Sequence, residues 1–296
     1  MLELAVAFPP IIHGNCKTST MKTTSIGFIG GGNMAHSLIG GLLADGCDPA
    51  TLWVAEPRAE QRDALRQRFG IHTSSDNVAV AAQAKVVVLA VKPQALREVA
   101  LQLVATIQRH KPLVISIAAG VREADLCRWL GGTVAVVRTM PNTPALVRCG
   151  ATALFANAWV SPPQRQLAES ILRAVGLTIW VNDESLLDSV TALSGSGPAY
   201  FFLLMEALEQ AGIRLGLEPE QARLLTLQTA FGAAKMALES ADSPAVLRAR
   251  VTSPGGTTEK ALAVLQAGEL EALFVRALEA ARQRARELGE LLGNPS

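Results

Sequence analysis

The stretch from Ser25 to Ala44 constrains this chain more than any other. Ser25, Ile26, Gly27, Phe28 and Ile29 form a short apolar run; Gly30, Gly31, Gly32, Asn33, Met34 and Ala35 follow at once. An apolar pattern with a period near 3.6 then continues through Met34, Leu38, Leu42 and Leu43. That order spells strand, tight turn, helix. Gly30, Gly32 and Ala35 fit the G-x-G-x-x-G/A spacing. In that pattern the first glycine makes the turn, the second lets the backbone approach a pyrophosphate, and the third small residue lets helix and strand pack closely. The free amides and positive dipole end of the new helix would face the phosphates. The bland alternative is a glycine-rich turn that holds nothing.

At 296 residues the chain has room for two domains with their own cores. Hydrophobic content of 49% with 4% aromatic and 18% charged residues describes an α/β or α protein and argues against disorder over most of its length. A formal charge of +1 gives no electrostatic reason for a nucleic-acid partner. Arg276, Arg282, Arg284 and Arg286 alternate with Glu279 and Glu287, the pattern of a solvated helix face. Cys16, Cys47, Cys127 and Cys149 lack C-x-x-C spacing and nearby histidines, which supports neither a metal nor a disulfide framework and suits a reducing cytoplasm. The longest apolar run, Val86 to Val91, is far short of the roughly 20 residues of a membrane span, so no membrane association is expected. Residues 1–20 lack the pattern of a signal peptide and precede a second methionine, Met21; they read as a disordered extension or a misplaced start.

Strand and helix signals alternate through the first half. Thr51–Ala55 reads as a strand ending at Glu56, Pro57 and Arg58. In dinucleotide folds a carboxylate at this tip accepts from the 2′-hydroxyl of NAD, whereas an arginine suits the 2′-phosphate of NADP. Both residue types are present, so either cofactor fits. A helix from Glu60 to Phe69, a brief strand at Ile71 and a polar loop from Thr73 to Asn77 follow. Lys85–Val91 is nearly unbroken apolar sequence, as expected for a strand buried on both faces of a parallel sheet. It ends at Lys92 and Pro93, where ligands sit in open α/β sheets; Lys92 is either a cofactor contact or a plain solvated lysine. Leu113–Ile117 is another buried strand, closing on Ala118, Ala119 and Gly120, whose small side chains leave room for a flat ring. Strand Val134–Thr139, strand Ala151–Phe155, helix Pro163–Val175 and strand Leu177–Val181 complete the alternation.

From Asp183 onward strand signals vanish and long Ala/Leu-periodic runs take over. The expected organisation is therefore an α/β fold: a Rossmann-like doubly wound sheet domain over 21–182, then an all-α dimerisation and substrate domain over 183–296. Leu193–Tyr200 leads into one apolar helix, with Pro198 in its first turn, and a second starts near Pro219. Both are more apolar than a solvated helix, which predicts burial against a second subunit as well as against the sheet domain, and hence a homodimer. Val251–Lys260 reads VTSPGGTTEK and opens a helix at Ala261–Leu265. Its glycines turn the chain and its hydroxyls fall where caps are found, so it offers amides and a helix N-terminus to a carboxylate, or is simply a well-capped loop.

Taken together, the chain resembles the pyrroline-5-carboxylate reductase family over Met21 to Leu292. Six motifs occur in order: GFIGGGNMA at Gly27–Ala35, AVKPQ at Ala90–Gln94, IAAGV at Ile117–Val121, MPNTPA at Met140–Ala145, LSGSGPAY at Leu193–Tyr200 and VTSPGGTT at Val251–Thr258. The resemblance implies hydride transfer from NADPH, with NADH admitted, to C5 of 1-pyrroline-5-carboxylate, the last step of proline biosynthesis. It implies that a dinucleotide lies over Ile29, Gly30, Gly31, Gly32, Asn33 and Met34, with Asn77 at the phosphate and ribose. Ala90, Val91, Lys92, Pro93, Ile117, Ala118 and Ala119 would line its path, and Glu184 matches a cofactor contact of some members. It places the substrate carboxylate on the amides of Gly255, Gly256 and Thr257 with Ser253 nearby, and the Thr258 hydroxyl on the ring nitrogen as the catalytic contact. Family members are dimers, several of them in rings of five dimers, which leaves a decamer open here. No metal is implied. Two other readings compete: a hydroxyacid or ketoacid reductase of the β-hydroxyacid dehydrogenase type, for which Lys235 would be the helix-borne lysine, and a non-catalytic dinucleotide sensor.

Overall fold

The computed structural model describes residues 23–293, so the reading of residues 1–20 falls outside the described residues. Eight strands form one sheet: β1 (Ile26–Ile29), β2 (Leu52–Ala55), β3 (His72–Ser74), β4 (Val86–Leu89), β5 (Leu113–Ser116), β6 (Val136–Met140), β7 (Gly150–Ala156) and β8 (Gly176–Trp180). Their spatial order is β3-β2-β1-β4-β5-β6-β7-β8. The strands from β3 to β6 are all parallel. Chain direction across the sheet reverses between β1 and β4, so the crevice beyond their carboxyl ends is the switch point where an open α/β sheet binds ligands.

The crossovers are α1 (Asn33–Ala44), α2 (Ala59–Phe69), α3 (Asn77–Gln83), α4 (Pro93–His110) and α5 (Glu123–Trp129), with α6 (Pro162–Arg173) joining β7 to β8. Alternate residues of each buried strand feed opposite layers. Ile26, Phe28, Val86 and Val88 pack with Leu38, Leu42, Ile171 and Leu172 on one side. Ile29, Val87 and Leu89 pack with Val80, Leu96, Leu103 and Trp129 on the other. With both faces covered, the strands need no polar side, which is why they read as continuous apolar runs.

Two features depart from the pattern read in sequence. β7 runs antiparallel to β6, and β8 is parallel to β7. Met140 and Gly150 are joined by a single 3-10 turn, Thr143–Val147, rather than a crossover helix, and so short a connection can only bring the chain back antiparallel. The loop expected from Thr73 to Asn77 instead ends β3 and starts α3; the Asp76 carboxylate accepts from the amides of Val78 and Ala79 and caps that helix.

Beyond β8 come α7 (Leu186–Val190), one π-helical turn (Thr191–Gly195), α8 (Gly197–Arg214), α9 (Pro219–Glu239), α10 (Pro244–Arg250), α11 (Thr257–Ala267) and α12 (Leu270–Gly293). The chain forms two compact units; among the described residues one runs to Pro198 and resumes at Leu278, and the other is Ala199–Ala277. The last turns of α12 belong with the sheet because Gly289 and Gly293 are small. A Cβ on Gly289 would stand 3.0 Å from the Gly120 carbonyl oxygen, and one on Gly293 would collide with Asp125 Oδ2. In the helical unit Ala222 of α9 is buried, with Gly212 of α8 and Leu217 close by. Many apolar side chains there have no such cover: Phe201 is 62% exposed, Leu208 60%, Leu225 58% and Phe231 63%.

Candidate functional site

The glycine turn is built at the switch point. Gly30 has φ +105°, and a Cβ there would lie 2.6 Å from the Ala90 carbonyl oxygen, so both backbone conformation and space require glycine. Its amide donates to Ala55 O at 2.9 Å. Gly31 is buried, its amide donating to Glu56 Oε2 at 3.2 Å and its carbonyl accepting from Gln61 Nε2. Gly32 is different: it is the N-cap of α1, no side chain caps the helix there, and a Cβ would meet nothing within 4 Å. The first-turn amides of α1 therefore start from a backbone with open space over it, which fits a pyrophosphate.

Neighbouring strand ends complete the rim. Register places Ile29 beside Leu89 and Leu89 beside Ser116. The Ala90 amide donates to Ile29 O at 2.8 Å and the Ile117 amide to Leu89 O at 3.2 Å. Ile29 to Met34, Ala90 to Pro93 and Ile117 to Ala119 thus share one edge of the sheet. Lys92 is the exposed N-cap of α4 and Pro93 its first residue, where a missing N–H costs nothing. Ala118 is buried and Ala119 exposed. Asn77 opens α3 and donates from Nδ2 to Gln102 Oε1 at 3.2 Å.

The tip of β2 distinguishes its two charged residues. Glu56 is 5% exposed; its Oε1 accepts from Arg58 Nε at 2.9 Å and from the Arg58 amide at 3.2 Å. Burial is the largest influence on this carboxyl and raises its pKa, but the Arg58 side chain and amide and the Gly31 amide together outweigh it, leaving the group below its ordinary value. The Arg58 side chain is 70% exposed.

Three side chains tie the neighbouring elements together: Glu184, singled out from the resemblance, Asn142 of the MPNTPA stretch, and Arg138, which sequence reasoning missed. Arg138 of β6 is buried and pairs with Glu184. Glu184 Oε1 also accepts from the amide of Glu123 at 2.6 Å, so this carboxylate ties α5 to β6. Asn142 donates to Ser194 O at 3.0 Å and accepts from the Ala151 amide at 2.9 Å. It thereby links the MPNTPA stretch to the π turn before α8. An arginine inside a buried strand was the one available signal, since such a charge needs a partner.

The second stretch lies in the helical unit. Gly255 has φ +71°, and its amide donates to Glu259 Oε2 at 2.8 Å. The Gly256 amide donates to Ser253 O at 3.0 Å. Gly256, not a hydroxyl residue, is the N-cap of α11, which corrects the expected capping; Thr257 and Thr258 occupy the first two helical positions. Two of the three amides expected to take a carboxylate are thus engaged inside the loop, and the orphan donors are those of the helix's first turn. Ser253 is exposed and Thr258 half-buried, and among the described residues the Thr258 hydroxyl has no hydrogen-bond partner.

Elsewhere the chemistry is muted. Burial, then the hydrogen bond to Glu123, pushes the Cys127 thiol up to about 12, too high for a nucleophile at neutral pH. Lys235 is exposed and forms an ion pair with Glu239 one turn on. Among the described residues no group of three or more His, Cys, Asp or Glu could hold a metal ion, and no helix is long and apolar enough to cross a membrane.

Two family descriptions match the chain: pyrroline-5-carboxylate reductase dimerisation over residues 184–288, and NADP oxidoreductase, coenzyme F420-dependent, over 25–120. A pyrroline-5-carboxylate reductase of Pseudomonas aeruginosa is 54% identical over 273 residues, covering 92% of this chain and all of the relative. The solved structure of such a reductase from Coxiella burnetii is 52% identical with a TM-score of 0.88, covering 90% of this chain and 98% of that one. A Plasmodium falciparum pyrroline carboxylate reductase with NADP bound is 29% identical with a TM-score of 0.80, covering 91% of this chain and 99% of that one. The open glycine turn, the helix-opening loop and likeness of this extent over nearly the whole length agree, and the chain belongs to the pyrroline-5-carboxylate reductase family.

Proposed function

We propose that this chain reduces 1-pyrroline-5-carboxylate to L-proline with a dihydronicotinamide dinucleotide, as the last step of proline biosynthesis. The observation that carries the reading is 54% identity across the whole of a reductase of that name, with both the glycine turn and the VTSPGGTT loop in place. When bound, the reduced nicotinamide supplies the hydride for C5 of the imine. The chain's share is positioning. The first-turn amides of α11 hold the substrate carboxylate, with Ser253 beside them; Gly255 contributes once the Glu259 carboxylate gives up its amide. The substrate reacts as its protonated iminium, so the ring nitrogen already carries its proton when it takes up the electron pair of the C=N bond. The Thr258 hydroxyl accepts a hydrogen bond from that N–H. The amides opening α1 at Gly32, Asn33 and Met34 hold the pyrophosphate, and Ala90 to Pro93, Ile117, Ala118, Ala119 and Asn77 flank the rest. The exposed Arg58 guanidinium favours NADPH, while NADH still fits the turn.

By function the chain divides at 21–182 for the cofactor and 183–296 for assembly and substrate, supported by family matches over 25–120 and 184–288, although by packing residues up to Pro198 and from Leu278 onward group with the sheet. The exposed apolar side chains of α8 and α9 support a homodimer, on which a decamer of five dimers is one arrangement. Cysteine usage supports a cytoplasmic site of action.

The test is oxidation of NADPH and of NADH with pyrroline-5-carboxylate and with a panel of ketoacids. The reading expects turnover with the imine alone. Turnover with ketoacids would favour a hydroxyacid-type enzyme, and tight binding without oxidation a sensor. Thr258→Ala should lower turnover at least tenfold, or about 1.4 kcal/mol; unchanged kinetics would remove Thr258 from the chemistry.

A further inference from the structure

The acidic residue at the end of β2 occupies the place where dinucleotide folds present a carboxylate to the adenosine ribose. Here that carboxylate is turned inward. The Glu56 side chain is 6% exposed, with Oε1 filled by two donors of Arg58 and Oε2 by the amide of Gly31. A grip on a ribose diol needs acceptor capacity facing solvent, and this side chain offers almost none. What it does hold is the middle of the glycine turn. The Gly31 amide rests on Glu56, its carbonyl accepts from Gln61, and a Cβ added to it would lie 2.9 Å from Leu65 Cδ1 and 3.3 Å from Glu56 Oε2. Gly31 is thereby fixed at both ends of its peptide, between the glycine that turns the chain and the one with open space over it.

We infer that Glu56 is a positioning residue: it acts on the bound dinucleotide through the Gly31 peptide, fixing the turn that holds the pyrophosphate, and makes no hydrogen bond to the adenosine 2′-hydroxyl. Removing it therefore weakens NADH and its adenosine 2′-deoxy analogue alike. The inference rests on the reading that the glycine turn holds a dinucleotide.

The experiment compares dissociation constants of NADH and of its adenosine 2′-deoxy analogue for the full-length wild type, Glu56→Ala and Glu56→Gln, with melting curves of each protein free of nucleotide. The cycle isolates any coupling between Glu56 and the 2′-hydroxyl. Glu56→Ala should weaken both nucleotides by about tenfold and equally to within about twofold. Glu56→Gln, whose amide oxygen can still accept from the Gly31 amide while its NH2 group displaces the Arg58 donors, should recover part of that loss, equally for both. A loss confined to NADH in either variant would overturn the inference in favour of a ribose contact, and wild-type affinity in a folded Glu56→Ala would show that the turn needs no brace. If Glu56→Ala does not fold, Glu56→Gln decides by the same comparison. Failure of the wild type to bind either nucleotide would instead sink the functional reading, and this inference with it.

Discussion

His36, in the first helix one residue after the fingerprint, is half-buried with its ring edge-on to Phe69. Burial lowers its pKa most, the Arg68 charge lowers it further, and Glu56 opposes both. The folded protein therefore binds this proton less readily than the unfolded chain, so the associated stability is fully present above the ordinary value of 6.5 and is lost as pH falls below it. The lowered carboxyl of Glu56 adds a loss of the same sign below 4.5. Melting temperature should fall as pH is taken from about 7 to about 5, and His36→Gln should flatten the upper part of that fall; identical slopes would contradict the assignment. At this scale sequence revealed what repeats across dinucleotide folds. Gly30 and Gly32 stand out because spacing encodes their backbone roles. The pairing of Arg138 with Glu184 and the bridge from Asn142 to Ser194 span separations in sequence that no local pattern reports.

The strand–turn–helix unit can be tested by separating two of its glycines. A methyl group on Gly32 meets no atom within 4 Å, and the residue has φ −76°, so Gly32→Ala should cost no more than about 1 kcal/mol, the loss of a favoured N-cap residue. The same methyl intrudes on the space a pyrophosphate needs, so NADPH affinity should fall at least about tenfold. Gly30→Ala meets the Ala90 carbonyl at 2.6 Å with φ +105° and should cost at least about 1–3 kcal/mol of stability from backbone strain alone. Urea unfolding and nucleotide titration of the two variants check this, and a Gly32→Ala protein that binds normally would contradict the placement of the phosphates. Elements were legible in proportion to their length and burial. β4 and β5 announced themselves because both faces are covered. The direction of β7 was not legible, since it depends on the length of the connection before it, and α3 has too few residues to show a period.

At the scale of the whole molecule, apolar side chains of α8 and α9 are left facing water. Large apolar side chains exposed in this number on two helices point to an interface. Leu225→Glu with Phe231→Glu should shift the protein from dimer to monomer in light scattering; a wild type already monomeric at micromolar concentration would contradict the homodimer. The central claim is that a hydride passes from the dinucleotide to C5 of a cyclic imino acid. Its most direct test is to supply NADPH deuterated at both C4 positions together with pyrroline-5-carboxylate and examine the product by mass and NMR. The account predicts L-proline carrying one deuterium, at C5. Proline without the label, or no proline while the enzyme is saturated with both ligands, would contradict it.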